Sequence, residues 1–422
     1  MQAPSGDELT AWCRRAGQPL DRVDPDGGLG DLEPLVEVIG DARVVGLGES
    51  AHAMGEFYRL KHRLLRFLVE RMGFSTFALE SGFAEGLVVD RWVQGGAGDL
   101  DDVIRRGFTY NMGSSEEFAA QLTWMREHNL AGRSPRLRYR GTDLPGWLGS
   151  ARPALDEVVG YLQDVDAPTA DRVLARATPL VGRVAGRYQP DAVDRYAVLT
   201  GEERDGLTAA LADLVATMER RRPDWIATTG TERFELALRC AVNAAQLDAH
   251  LRHAVAAGAS TAVMEGRDVA MAANIRWMLD TVDRGERVVF GAHNGHVQAV
   301  PFLVAGQSVP STSAGTYLRA ALGQDYRPIG TTFASLDGGV ETQAASAGTI
   351  DAVLAAVGVP LLLVDLRTIG NAPAAAEALG RIRRMRLQGG QVELTVGTAF
   401  DALVHVHELH GMHPRALART DA

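Results

Sequence analysis

Cysteine is nearly absent from this chain of 422 residues: Cys13 and Cys240 are its two thiols, with no CxxC spacing. That excludes a disulfide-stapled secreted scaffold, and reduced thiols are expected. Lysine is scarcer still. Of 43 basic residues only Lys61 is lysine, a bias that the Arg-, Ala- and Gly-rich codons of a GC-rich bacterial genome produce. The one retained lysine is worth following, because Lys and Arg are not interchangeable in a site. Positive charge is in deficit, with a net charge of −10, which argues against nucleic acid and anionic membranes as partners. No window reaches the roughly 18 uninterrupted apolar residues of a membrane helix. The opening stretch, MQAPSGDELTAW, has no basic region followed by an apolar run and is not read as a signal peptide. A cytoplasmic protein acting on a small molecule is the expectation, and oligomeric state leaves no mark on the sequence.

Familiar catalytic loops are missing too. No GxSxG elbow follows a strand, which speaks against a serine hydrolase. There is no Walker A loop and no GxGxxG after a strand. Gly28-Leu29-Gly30 precedes no clear helix and reads as linker. Internal repeats, coiled coils and low-complexity tracts are absent. With 46% hydrophobic and 23% charged residues, the composition is that of a globular protein large enough to bury a substantial core.

What is there alternates between strand and helix. Residues 1–40 read as a leader with one helix around 8–15 and then a Gly/Asp/Pro-rich link. Residues 43–48 (RVVGLG) form a buried-strand run. Residues 56–72 form an amphipathic helix with Phe57, Leu60, Leu64, Phe67 and Leu68 on one face, ended by Gly73. Strands at 74–80 and 137–141 and a helix at 83–93 follow. This order implies βαβ units and a parallel-rich sheet with right-handed connections. From about 150 to 284 only helical patterns remain, at 153–163, 170–184, 203–221, 232–256 and 267–282, punctuated by Gly201, residues 228–231 and Gly258. Strands resume at 287–292, 327–333, 360–366 and 402–406, with 334–350 read as loop. The expected fold class is α/β: a mixed, parallel-rich sheet flanked by helices in three layers, with a helical lobe over the active-site cleft. Residues 1–149 and 285–422 supply the two parts of the core, and 150–284 the insertion.

The polar residues fall at strand ends. The first strand runs into Glu49-Ser-Ala-His52, the second ends at Glu80, the third at Asp143, and the strand after the insertion at His293-Asn294-Gly295-His296. Ligands of open α/β sheets bind outside the carboxyl ends of the strands. Four parallel neighbours would bring three acids and three histidines into one cleft, the arrangement that general acid/base chemistry uses. Each feature taken alone has a plainer explanation, such as a Glu capping the next helix. Four strand ends in agreement do not. Gly46 and Gly48 are read as letting the backbone turn ahead of Glu49. Glu49 and His52, three apart, share a helical-turn face, where a carboxylate fixes the imidazole tautomer. Lys61 is a cation for a developing oxyanion. His405, His407, His410 and His413 tempt as a metal cluster. They lack the cysteine or carboxylate partners at defined spacing that a structural zinc site recruits, and are not read as one.

These residues also carry a resemblance. Gly46-Leu-Gly-Glu49-Ser-Ala-His52, the helix beginning Glu-Phe-Tyr-Arg-Leu-Lys61, the strand ending in Glu80 and Ala292-His-Asn-Gly-His296 together resemble the erythromycin esterase family. Gly141-Thr-Asp143, Arg267-Asp-Val-Ala-Met-Ala-Ala-Asn274, Thr316-Tyr-Leu-Arg319 and Phe400-Asp-Ala-Leu-Val404 add to it, so that it spans about residues 45–405. The resemblance implies hydrolysis of a macrolactone ester without a bound metal or other cofactor. It places the general base on His52 and its companions on Glu49, Glu80, His293 and His296. It departs from the family at Lys61, where Arg is frequent, and at Ser50-Ala51-His52-Ala53, where relatives often have Ala-Thr-His-Gly. Ser-Gly-Phe after Glu80 also replaces a proline-containing turn.

The expected activity is an ester hydrolase acting on a bulky polyketide-type lactone. His52, Glu49, Glu80, His293 and His296 are the candidate catalytic residues; Lys61, Asp143, Arg267 and Asn294 are candidate substrate-binding groups. Three alternatives stay open. The same site could drive intramolecular cyclisation of a polyketide. His52, His293 and His296 with a glutamate could hold Zn²⁺ or Mn²⁺. Or the cleft could bind a ligand without turnover.

Overall fold

The computed structural model describes residues 6–186, 188–257, 262–304, 307–337, 345–387 and 390–416. Its strands are β1 (Gln18–Pro19), β2 (Val44–Glu49), β3 (Thr76–Gly82), β4 (Arg138–Asp143), β5 (Val288–His293), β6 (Leu303–Val304), β7 (Tyr326–Asp337), β8 (Leu361–Asp365), β9 (Arg384–Leu387), β10 (Gly390–Glu393) and β11 (Ala402–His410). Eight of them form one sheet in the order β1-β8-β11-β7-β2-β5-β3-β4. β2 pairs in parallel with β5 and β7, and β7 with β11. β8 joins β11 antiparallel and β1 joins β8 antiparallel. The sheet is therefore mixed and mostly parallel, as the sequence pattern implies. β6, β10 and β9 make a separate antiparallel sheet. The alternation Arg-Met-Arg-Leu in β9 carries its signal.

The helices are α1 (Gly6–Ala16), α2 (Pro34–Ile39), α3 (Gly55–Met72), α4 (Phe83–Val93), α5 (Leu100–Gly107) and α6 (Glu116–Leu130). Then come α7 (Arg152–Val165), α8 (Ala167–Arg176), α9 (Thr178–Val184), α10 (Gln189–Val198), α11 (Gly201–Thr229), α12 (Thr231–Ala257) and α13 (Ala262–Trp277). α14 (Asn294–Val297), α15 (Ala314–Leu322), α16 (Ile350–Ala355), α17 (Pro373–Arg381) and α18 (Val396–Ala399) complete the set. The chain divides into two compact units. The first comprises residues 1–78, 111–138 and 286–422, the second residues 79–110 and 139–285. Among the described residues no helix is long and apolar enough to cross a membrane.

In the first unit β2 is central, and all six of its residues are buried, which is why Val-Val-Gly-Leu-Gly-Glu reads as one apolar run. Gly46 and Gly48 lie inside this strand rather than in a turn. They make room instead: a side chain at Gly48 would collide with the Asn294 amide oxygen, and one at Gly46 with Tyr326 and Val297. α3 buries the expected apolar face and ends at Gly73, whose φ of 71° closes the helix in a left-handed cap. The Gly/Asp/Pro link is not slack. It wraps the fully buried Arg63, whose guanidinium meets Asp31 at 2.5 and 3.0 Å and the carbonyls of Arg22 and Gly28. β7 runs on to Asp337, so 334–337 is strand rather than loop, and the part of that loop at 338–344 lies outside the described residues, as does Gly258.

The second unit is mostly helical. The helix read at 170–184 is two, because Pro179 in the first turn of α9 cannot donate to a continuing helix. α11 starts at a capping box: the Thr200 hydroxyl accepts from the Glu203 N–H at 3.2 Å and the Glu203 carboxylate accepts from the Thr200 N–H at 2.9 Å. Gly230, with φ 83°, separates α11 from α12 within the break that the sequence pattern predicts at 228–231. Deep in this unit Arg140, fully buried, bonds Asp90 at 2.6 Å and Asp283 at 3.2 and 3.3 Å. Removing one partner of a buried ion cluster leaves uncompensated charge. Arg140→Leu is therefore expected to cost about 3–5 kcal/mol. Denaturant unfolding of variant and parent measures it, and a loss below about 1 kcal/mol would refute this account of the cluster.

Candidate functional site

The parallel register sets Glu49, the last residue of β2, directly opposite His293, the last residue of β5. Two strands that are otherwise apolar thus deliver an acid and an imidazole to the same edge of the first unit. After Glu49 the chain turns, and His52 Nδ1 comes to 2.6 Å from Glu49 Oε1. On the other oxygen, Lys61 Nζ donates to Glu49 Oε2 at 2.6 Å. Glu49 and Lys61 are both buried, while the His52 side chain is 36% exposed. Burial pushes the Glu49 carboxyl up, but the Lys61 charge and the His52 hydrogen bond outweigh it and hold it below the ordinary range. An ionised Glu49 fixes the tautomer of His52: Nδ1 carries the proton, and Nε2 keeps its lone pair.

The His293 ring lies 4.7 Å from the His52 ring, centroid to centroid, tilted by 41°. His293 Nδ1 accepts from the Gly295 N–H at 3.3 Å, so a neutral His293 carries its proton on Nε2. His296 sits one turn on in α14, buried. Asn294, fully buried, spends its amide on β7: it donates to the Thr331 carbonyl at 2.8 Å and accepts from the Thr331 N–H at 3.1 Å. Lys61 is likewise not at the surface of the site. It lies under Glu49, because position 61 falls on the buried side of α3.

The second unit gathers the other sequence candidates. Arg267 from α13 donates to Glu80 at 2.6 Å and to Asp143 at 2.7 Å. Tyr110 donates to the same Asp143 oxygen at 2.7 Å, and its ring lies 5.2 Å beneath the guanidinium. Burial works against the Arg267 charge, but Asp143, Tyr110 and Glu80 around it keep it charged. Tyr110 is missed by sequence reasoning, since a lone aromatic in a polar loop carries no spacing signal. Glu85, on the first turn of α4, is missed too. One of its oxygens accepts from the Gly146 N–H at 2.6 Å, and the other has no hydrogen-bond partner. Burial, reinforced by the nearby Asp143 charge and opposed by hydrogen bonds from backbone N–H groups, pushes its carboxyl up to about 7. Gly146 opens a left-handed turn: Gly146, Trp147 and Leu148 have φ of 62°, 53° and 56°. Each non-glycine residue there costs about 1–2 kcal/mol. The turn presents Trp147, 38% exposed, between the rings of Tyr110 and Tyr188 at 5.4 and 6.3 Å.

Among the described residues no set of three His, Cys, Asp or Glu side chains comes together to hold a metal ion. The C-terminal histidines disperse. His405 is buried against the Thr332 hydroxyl at 2.9 Å, and burial lowers it to about 4. His410 and His413 face Glu56 and Glu117 instead.

Comparison with known proteins bears on the chain as a whole. The sequence profile of the erythromycin esterase family matches residues 69–409. The chain is 32% identical over 324 residues to erythromycin esterase type II of Escherichia coli, covering 76% of either chain. It is 25% identical over 405 residues to erythromycin esterase type I of the same species, covering 89% of this chain and 93% of that one. Among solved structures, a protein from Bacillus cereus matches with a TM-score of 0.82 at 20% identity, over 98% of this chain and 100% of the other. An erythromycin esterase variant in its open conformation matches at 0.74 and 20% identity, over 94% and 98%. At that identity the two structures support the fold alone.

Glu85 gives the second unit a measurable pH dependence. Its folded-state value of about 7 lies above the ordinary 4.5, so the folded protein holds that proton more tightly than the unfolded chain. Stability is fully present below about 4.5 and falls as pH rises towards about 7, by on the order of 3 kcal/mol. Glu85→Gln, which mimics the neutral acid, is expected to remove that slope. Thermal midpoints of parent and variant should converge at pH 5 and separate at pH 8, with the variant higher; parallel curves would contradict the assignment.

Proposed function

The chain belongs to the erythromycin esterase family, and on that premise we propose that it hydrolyses the lactone or other ester of a bulky polyketide-type molecule, using His52 as a metal-independent general base. One observation carries the reading: Glu49, held ionised by Lys61, accepts a hydrogen bond from the His52 Nδ1–H at 2.6 Å and so leaves Nε2 as the base. In the proposed step His52 Nε2 accepts a proton from water as the water oxygen adds to the ester carbonyl. The imidazolium that forms is stabilised by Glu49. The His293 Nε2–H serves the oxyanion, and on collapse the alkoxide leaves with a proton from imidazolium, which returns His52 to its starting state. Lys61 acts through Glu49 rather than on the oxyanion. Arg267, in the second unit, is kept charged by Glu80 and Asp143.

A further feature supports the metal-independent part of the reading. Both oxygens of Glu49 are engaged, one of them by an ammonium at 2.6 Å, and that positive charge opposes a divalent cation at the same carboxylate.

His52→Ala is expected to lower kcat on the ester substrate by about 10²–10⁴-fold; near-parental turnover would remove His52 from the mechanism. With erythromycin as the first probe in ¹⁸O-water, one label should enter the carboxylic acid product. An unlabelled isomer of unchanged mass would mean intramolecular cyclisation instead. Activity of protein purified without added metal is expected to survive chelation. Stoichiometric metal together with loss of activity on chelation would overturn the metal-independent reading.

A further inference from the structure

Ala53, the residue after the proposed base, has φ 61°, in the left-handed region that residues with a side chain seldom adopt. Two hydrogen bonds hold it there. Its N–H donates to the Tyr58 phenol oxygen at 2.9 Å, and its carbonyl accepts from the Met412 N–H at 2.8 Å.

Met412 belongs to a segment that continues from β11 and is fastened on both sides of that contact. Before it, the His410 N–H donates to one Glu56 oxygen at 2.7 Å, and His410 Nδ1 lies 3.1 Å from the other. After it, Glu117 accepts from the His413 N–H at 3.2 and 3.3 Å and faces His413 Nδ1 at 2.7 Å. The backbone is tied as well: Met54 bridges Gly411, Ser115 bridges Pro414, and the Arg415 N–H donates to the Ser114 carbonyl at 2.8 Å. Glu56 lies in the first turn of α3 and Glu117 in the first turn of α6, so the strap is anchored on two helix starts.

We propose that residues 410–415 are a positioning strap for His52: the Met412 amide holds Ala53 in its left-handed conformation and thereby keeps the imidazole on Glu49. Resting on the reading of His52 as general base, it adds a device that compensates for alanine where glycine would adopt this conformation without steric cost. Without the strap, Ala53 relaxes towards the right-handed region. The 50–53 turn then rotates against the start of α3, and His52 loses its 2.6 Å contact with Glu49.

The test uses the backbone donor. Met412→Pro removes the one N–H, whereas Met412→Ala keeps it. The primary readout is the downfield Nδ1–H resonance of His52 in histidine-¹⁵N-labelled full-length protein, assigned by its absence in His52→Gln. It is expected to persist in Met412→Ala, to vanish or broaden in Met412→Pro, and to return in Met412→Pro combined with Ala53→Gly. On an ester that the parent hydrolyses, Met412→Pro should lower kcat about tenfold with KM within about twofold, and Ala53→Gly should restore most of the loss. Glu117→Ala, which frees the neighbouring His413, should act in the same direction and serves if the proline variant does not fold. A His52 resonance unchanged in Met412→Pro or Glu117→Ala, or a loss that Ala53→Gly does not rescue, overturns the strap. Near-parental activity of His52→Ala would instead overturn the general-base reading, whatever the resonance shows.

Discussion

The contact on which the chemistry proposed for the first unit depends is the buried carboxylate of Glu49 between an ammonium and an imidazole. Taking a carboxylate out of water is costly unless its oxygens are paired. Here each oxygen has a charged or charge-assisted partner at 2.6 Å. A guanidinium would not be an equivalent partner. Lys61 threads from α3 past Gly291, where an added Cβ would lie 3.3 Å from the lysine Cδ and 3.0 Å from the Phe77 ring. A compact ammonium on a thin stem fits that channel, whereas a planar fork demands more width and several acceptors. In a chain that uses arginine at every other basic position, the one lysine stands where its stem passes Gly291 to reach Glu49.

Geometry elsewhere in the unit serves that contact. Parallel pairing of β2 with β5 brings Glu49 and His293 level, and Asn294 locks β5's end to β7 through Thr331. Asn294 can sit there only because Gly48 has no side chain. The glycines in Val-Val-Gly-Leu-Gly-Glu are thus spacers for neighbouring elements, and their effect is to hold two strand ends in one register.

Much of this was legible in the residues and some was not, for reasons that separate cleanly. Buried parallel strands announce themselves as apolar runs, so β2 and β5 and their polar ends could be read directly. α3 could be read from its apolar stripe, and Gly73 from its place after the last turn. α6 has no clean apolar face and left no periodic signal. β1, with two residues, is too short to leave one. Glu49 and His52 are three residues apart, and their contact follows from local geometry. Lys61 could be singled out by rarity, but its direction could not, because that depends on which side of α3 the sheet covers. Tyr110 and Glu85 are beyond any local rule: what joins them to Asp143 and Gly146 is tertiary contact across 33 and 61 residues.

Both units hold a non-glycine residue in the left-handed region near candidate site residues: Ala53 in the first, Trp147 and Leu148 in the second. Such conformations persist only where the surroundings over-determine them. For Ala53 the restraints are a phenol oxygen and a backbone amide. For the Trp147 turn one restraint is the Glu85 carboxyl on Gly146. The two cases differ in what relaxation would change. Ala53 precedes a helix start and follows the imidazole, so its φ sets the angle between the proposed base and the body of the unit. Trp147 carries its own exposed ring, so its φ sets which face of the ring meets solvent. In the first case the strained residue adjoins the proposed base, and in the second it carries an exposed ring. Glycine at 53 would keep the conformation and make the restraint redundant, whereas glycine at 147 would remove the ring itself.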